Sequence, residues 1–220
     1  MRTAAYAVRT FRTCVVGFCR GKPREDAGVV SSEVSVFAKR RPYYRPVTAD
    51  DLRILPATES DTATILRMIR GLAEYEGMSD RVVATEDALR EQLFGPRPAA
   101  EVSLAFVDDD AVGFAVYFPS FSTFACRPGL YLEDLFIEPK WRGRGFGRQL
   151  LAHVAKIAVQ RGCDRMNWVV LPWNTPALDF YRRLGAEKIT EWDGFGIAGE
   201  PLQRLARLTT REGISESPDP

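Results

Sequence analysis

The run Arg142-Gly143-Arg144-Gly145-Phe146-Gly147 constrains this chain more than any other feature. It follows an apolar stretch, 130–137, that reads as a strand. It precedes Leu150, Leu151, Val154, Ile157 and Ala158, which recur at helical spacing and predict a helix over about 147–161. A strand, a glycine turn and an amphipathic helix in that order form a βα unit with the turn at one end of a sheet. Glycine lets the backbone approach a ligand closely, and a helix N-terminus offers free N–H groups and a positive dipole end. Such a turn can cradle phosphate. Spacing excludes two common cradles. A Walker loop ends in Gly-Lys-Ser/Thr, whereas Gly147 is followed by Arg148 and Gln149. A dinucleotide fingerprint is spaced G-x-G-x-x-G in a first βα unit, whereas these glycines are spaced G-x-G-x-G and fall late in the chain. On glycine content alone, an ordinary strand-to-helix turn stays open as the alternative.

The surrounding pattern places this unit in one mixed domain. Residues 52–57 read as a first strand. Ser60 or Asp61 can cap a helix with Ile65, Leu66, Ile69, Leu72 and Ala73 on one face, and Thr85 opens a shorter helix stopped by Gly95-Pro96. Residues 102–107 and 112–118 flank Asp108-Asp109-Asp110 as a hairpin. A strand over 166–171, a helix opened by Thr175-Pro176 and closed by Gly185, short strands near Lys188 and Phe195, and a last helix over 201–208 complete the body. The fold class is α/β (α+β), with strands both in hairpins and around helices.

Charge divides the chain. The whole carries 30 basic and 29 acidic side chains, a net +1 that argues against a bulk nucleic-acid binder. Residues 1–50 hold ten basic and four acidic side chains (+6), leaving 20 basic against 25 acidic (−5) in 51–220. The basic segment 1–50 reads as an organelle transit peptide, a basic interaction arm or an unfolded leader, the last being preferred. The body is 51–210, and 211–220 is a polar tail. No apolar run approaches the roughly 18 residues of a membrane span, so a cytoplasmic protein is expected. Four scattered cysteines and a single histidine, His153, leave no metal-ligand spacing and no Ser-His-Asp triad. No metal is expected, and His153 falls on the polar face of its helix.

The spacing Arg142-x-x-Gly145-x-Gly147 after Leu132-Glu133-Asp134-Leu135-Phe136-Ile137 resembles the pyrophosphate motif of the GNAT superfamily of acetyl-CoA-dependent N-acetyltransferases. A second block, Asn174-Thr175-Pro176-Ala177 running to Phe180-Tyr181 and Gly185-Ala186, is similar to that superfamily's Asn…Phe-Tyr…Gly segment. Three further runs resemble its diamine (spermidine/spermine) or thialysine acetyltransferase branch. They are Leu72-Ala73-Glu74-Tyr75-Glu76, Thr85-Glu86-Asp87-Ala88-Leu89, and Phe121 to Phe124 followed by Arg127-Pro128-Gly129-Leu130-Tyr131. The likeness covers about 52–208 and leaves 1–50 without a counterpart. It implies a central mixed, mostly antiparallel sheet flanked by helices, with the glycine turn between strand 4 and helix 3. It also implies acetyl-CoA as co-substrate, a small cationic amine as acceptor, and a homodimer.

By the same resemblance, Arg142, Gly143, Arg144, Gly145, Phe146, Gly147 and Arg148 hold the pyrophosphate. Asn174, Pro176 and Ala177 line the pantetheine arm, and the backbone of Leu135, Phe136 and Ile137 receives the thioester carbonyl. Tyr75, Glu76, Glu133, Asn167, Trp168 and Val169 line the acceptor. Glu133 matches the base and Tyr181 the acid. Read from the residues alone, each has a plainer alternative: a carboxylate paired to an Arg for Glu133, a core aromatic for Tyr181. Asp134 is expected on the opposite face of its strand from Glu133, with a structural role. Glu74 and Glu76 stand at a helix end whose dipole disfavours them, which suits either cation binding or a solvated helix end. Residues 192–199 are richer in glycine than that branch shows there, which leaves the acceptor open. A protein or peptide amine as acceptor, or a silent acetyl-CoA-binding module, are the rival readings.

Overall fold

Alternating apolar residues over 101–137 build the sheet. In a computed structural model, which describes residues 47–210, they form three antiparallel strands: β2 (Glu101–Val107), β3 (Asp110–Ser122) and β4 (Arg127–Ile137). The β2–β3 turn passes through Asp108 at φ 53°, a left-handed conformation that aspartate tolerates better than most residues. β1 (Leu52–Pro56) pairs antiparallel with β2, from Leu52↔Val107 to Pro56↔Ser103. β5 (Met166–Asn167) adds in parallel to β4, giving the order β1-β2-β3-β4-β5. The mixed, mostly antiparallel sheet is the expected one.

Helices cover both faces. α1 (Thr62–Tyr75) and α2 (Glu86–Phe94) lie on one side, where Ile65, Met68 and Leu72 pack with Leu104, Phe114 and Phe136. α3 (Phe146–Gln160) lies on the other, where Phe146, Leu150 and Val154 pack with Leu130, Leu132, Leu135 and Ile137. α4 (Thr175–Arg183) adds Ala177, Phe180 and Tyr181 to that second core. Thr85 caps α2 as expected, its hydroxyl oxygen accepting from the Ala88 N–H at 3.2 Å. Asp61 precedes α1, but its carboxylate turns back to accept from the N–H and hydroxyl of Thr58, both at 2.7 Å. It therefore secures the short turn Glu59–Asp61, and α1 grows from that turn without a side-chain cap of its own.

Two irregularities shape the functional edge. The β3–β4 register passes from Val116↔Asp134 directly to Tyr117↔Leu132, so Glu133 is one residue more than β3 can pair. This β-bulge reverses the alternation: Leu130 and Leu132 face α3 before it, and Leu135 and Ile137 face α3 after it. The second irregularity is the brevity of β5. The expected strand 166–171 pairs only at Leu130↔Met166 and Tyr131↔Asn167, and the chain then leaves the sheet. A bulge bends its strand, and this one lies two residues past the last rung. β4 turns away there, and the following residues cannot keep the ladder.

The described residues divide into two compact units, 47–186 and 187–210. The second contains α5 (Gly199–Ala206) and a final 3-10 turn (Arg207–Thr210). The strands expected near Lys188 and Phe195 are not formed. Ile189, Trp192 and Phe195 are exposed there, and a strand persists only with a ladder partner. The basic segment 1–50, except for its last four residues, and the polar tail 211–220 lie outside the described residues. Among the described residues no helix is long and apolar enough to cross a membrane.

Gly113 pairs with Ile137 at the end of β4 that feeds the glycine turn. A Cβ there would come within 2.5 Å of the Phe136 carbonyl oxygen and 2.4 Å of Ile137 Cδ1. Backbone cannot yield as a side chain can. Gly113→Ala is expected to cost about 1–3 kcal/mol, read from the midpoint of urea unfolding.

Candidate active site

The glycine turn works through backbone conformation. After a 3-10 turn (Pro139–Trp141), Gly143 and Gly145 adopt φ values of 78° and 86°, where a Cβ is strained. Gly145 is the N-cap of α3, so the first N–H groups of a fifteen-residue helix open at the turn. Phe146 is buried and anchors the helix start in the core, while Arg148 is exposed. Aromatic rings hold the basic side chains. The Arg144 guanidinium lies 5.0 Å from the Trp141 ring centre, and Arg142 lies 4.7 Å from Tyr75 and 5.7 Å from Phe136. Arg142 Nε also donates to the Ile137 carbonyl oxygen at 2.9 Å, which ties the turn to the end of β4.

Asn174 marks the other side. Fully buried at the N-cap of α4, it accepts from the Ala177 N–H through Oδ1 at 3.3 Å, and Pro176 occupies the first turn. The Tyr75 hydroxyl lies 3.5 Å from the same Oδ1. Two turns along α4, Tyr181 is 4% exposed, with its ring 4.8 Å from Trp168 and 5.4 Å from Phe180. Its hydroxyl has no hydrogen-bond partner among the described residues, and burial raises its pKa well above the ordinary tyrosine value. The core-aromatic reading of Tyr181 thus holds for the ring. It leaves the hydroxyl unexplained, because a buried donor costs free energy unless something accepts from it.

The bulge overturns the expectation for Asp134. Asp134 lies two residues before Phe136, which packs against α1, and Glu133 faces away from Leu132; both carboxylates therefore turn to the α1 side. Burial, then Glu133, then Glu76 push the Asp134 carboxyl up to about 8, so Glu76 at the end of α1 shares this neighbourhood. Burial also raises Glu133. No ion pair of Glu133 is found among the described residues, which disfavours the paired-carboxylate alternative. Of the other expected acceptor residues, Tyr75 meets Arg142, Asn174 and Trp173, and Trp168 packs on Tyr181. Asn167 pairs with Tyr131 in the β5 ladder, and Val169 is exposed. His153 is half-buried rather than solvated; burial and Lys156 hold its pKa down.

A cleft of about 880 Å³ opens beside Tyr75 and Phe136, lined also by Arg67, Arg70, Glu74 and Lys140. Sequence reasoning missed it. The available signal was the polar stripe Arg67, Arg70, Glu74 on α1, which reads as an ordinary solvated face until β4 is seen to end against it.

A glycine turn at the end of a bulged strand, with a parallel neighbour that leaves the sheet after two rungs, defines the α/β scaffold. The chain belongs to the acetyltransferase (GNAT) family, whose model matches residues 69–186, and is an acyltransferase. It is 40% identical over 164 residues to a thialysine N-epsilon-acetyltransferase from Bos taurus, covering 70% of this chain and 96% of that protein. It is 30% identical over 201 residues to an L-ornithine N5-acetyltransferase from Arabidopsis thaliana, covering 71% and 88% respectively. An integron cassette protein from the mobile metagenome of V. cholerae superposes with a TM-score of 0.62 at 28% identity, over 71% of this chain and 98% of that one.

A carboxyl at about 8 has consequences for stability. Asp134 holds a proton in the folded chain that an unfolded carboxyl, with its ordinary value of 3.8, has released. Its contribution is full below pH 3.8 and is lost as pH rises to about 8. Melting temperature should therefore fall between pH 5 and pH 8.5, and Asp134→Asn should flatten that fall, as measured by calorimetry at both pH values.

Proposed function

We propose that this enzyme transfers an acetyl group from acetyl-CoA to a primary amine of a small cationic acceptor, by direct attack in a ternary complex. The observation that carries this reading is the bulge, which gathers Glu133, Asp134 and Glu76 on one face immediately before the phosphate cradle. Acetyl-CoA fits the residues present. Positive-φ glycines and the α3 N-terminus suit its pyrophosphate, with Arg142, Arg144 and Arg148 beside them. Asn174, Pro176 and Ala177 suit the pantetheine arm, and the orphaned Tyr181 hydroxyl suits its sulfur. Acetyl-CoA supplies the acetyl group as a thioester.

The chemistry begins with a proton. An alkyl ammonium has a pKa near ~10.4, so less than roughly 0.1% is free base at pH 7. Glu133 takes that proton. Its raised pKa brings it closer to neutrality, and the still-protonated Asp134 beside it spares the pair a second full negative charge. Backbone along Leu135, Phe136 and Ile137, on the stretch of β4 past the last β5 rung, receives the carbonyl oxygen. Tyr181 keeps its proton at neutral pH, gives it to the sulfur as the C–S bond breaks, and is restored by the second proton that the attacking nitrogen sheds.

Diamino acids head the acceptor candidates, because the relatives act on thialysine and L-ornithine, and because Arg70 and Lys140 stand with Glu74 in the adjoining cleft. Homodimerisation belongs to the same reading. It is supported by the exposed Trp192, Phe195, Leu202, Leu205 and Leu208 in the C-terminal unit.

Glu133→Gln and Tyr181→Phe are each expected to lower kcat by about 10²–10⁴-fold with acetyl-CoA affinity nearly unchanged. Steady-state kinetics with calorimetry checks this, and full activity in either variant removes that residue from the mechanism. Thiol release across thialysine, ornithine, spermidine and a lysine peptide should be fastest with a diamino acid. Fastest release with the peptide would replace the acceptor class, and release with none would leave a silent binding module.

A further inference from the structure

Tyr75 ends α1, and three contacts run from its one side chain to two other parts of the fold. Its ring covers the Arg142 guanidinium of the glycine turn at 4.7 Å. Its hydroxyl lies 3.5 Å from Oδ1 of Asn174, the N-cap of α4, and its ring lies 5.9 Å from Trp173. Through the backbone it adjoins Glu76, which shares its surroundings with Asp134 and Glu133. Arg142 and Asn174 belong to the two ends of the acetyl-CoA site as proposed above, and Glu76 to the acceptor site.

We propose that Tyr75 is a positioning residue that couples the two sites, so that occupation of the coenzyme A cleft prepares the acceptor pocket. The inference rests on the proposed function. Physically, Arg142 donates to the Ile137 carbonyl and lies face-on against Tyr75. A pyrophosphate gripping the guanidinium fixes the plane on which the ring rests, and so restricts the end of α1. A pantetheine arm at Asn174 restricts the same ring through its hydroxyl. The acceptor then meets a Tyr75–Glu76 wall whose ordering has already been supplied by the first ligand, which is positive cooperativity. Linkage requires the converse: acceptor tightens coenzyme A by the same factor.

The test uses the full chain, with coenzyme A and thialysine, which together form a ternary complex that cannot react. The dissociation constant of coenzyme A is measured by calorimetry with and without saturating thialysine. Wild-type enzyme should show a ratio of about fivefold or more. Tyr75→Met, which keeps bulk but has no aromatic face, should bring the ratio to within about twofold of unity, while coenzyme A still binds alone and so shows the variant to be folded. Tyr75→Leu is the replacement should Tyr75→Met fail to fold. Tyr75→Phe should fall between these and wild type, since it keeps the ring over Arg142 and loses only the Asn174 contact. A wild-type ratio of one, or an unchanged ratio in the Met or Leu variant, overturns the inference with the proposed function intact. Absence of coenzyme A binding to wild-type enzyme overturns both.

Discussion

One unpaired residue in the β3–β4 ladder organises much of this molecule. Because Glu133 has no partner on β3, β4 bends, its alternation reverses, and two consecutive carboxylates come to the same face. The bend also ends the β4–β5 ladder after Tyr131↔Asn167, leaving the stretch of β4 that leads into the glycine turn beyond the reach of β5. The apolar residues past the bulge keep the α3 core intact: Leu135 and Ile137 resume the face that Leu130 and Leu132 left. The α3 side of β4 thus stays apolar across the irregularity, which leaves the end of the strand without its β5 neighbour.

Electrostatics around that edge separate two kinds of charge. Burial raises Glu133, and burial together with the neighbouring charges of Glu133 and Glu76 raises Asp134. Arginines of the glycine turn lie against rings, Arg142 by Tyr75 and Phe136 and Arg144 by Trp141. Ring faces attract guanidinium groups without neutralising them. Ion pairs form away from this edge, as between Arg161 and Glu101, and also in the adjoining cleft, where Arg67 pairs with Glu138.

Most elements were legible because their signals are local. Thr85 before an apolar-periodic run, the aspartates between two alternating stretches, and Gly145 ahead of α3 each act through neighbouring residues. Asp61 was legible as a helix-start residue, but not in its choice of Thr58 over the α1 N–H groups. Asp134 was misplaced, because strand alternation holds only while every residue has a partner, and pairing is a property of two strands. The length of β5 and the absence of strands near Lys188 and Phe195 failed for the same reason. The Arg67, Arg70 and Glu74 cleft depends on where β4 ends relative to α1.

By itself, the sequence determined the family, the order of helices and strands down to β4 and α3, and the glycine turn. Each of these is encoded in residue type and spacing along a short stretch of chain. Tertiary structure alone decided that Asp134 joins Glu133 and Glu76, that Tyr181 keeps a buried, unpartnered hydroxyl, and that Tyr75 lies between Arg142 and Asn174. Those are contacts between segments up to about a hundred residues apart. They follow from register and packing, which no local pattern of residues records.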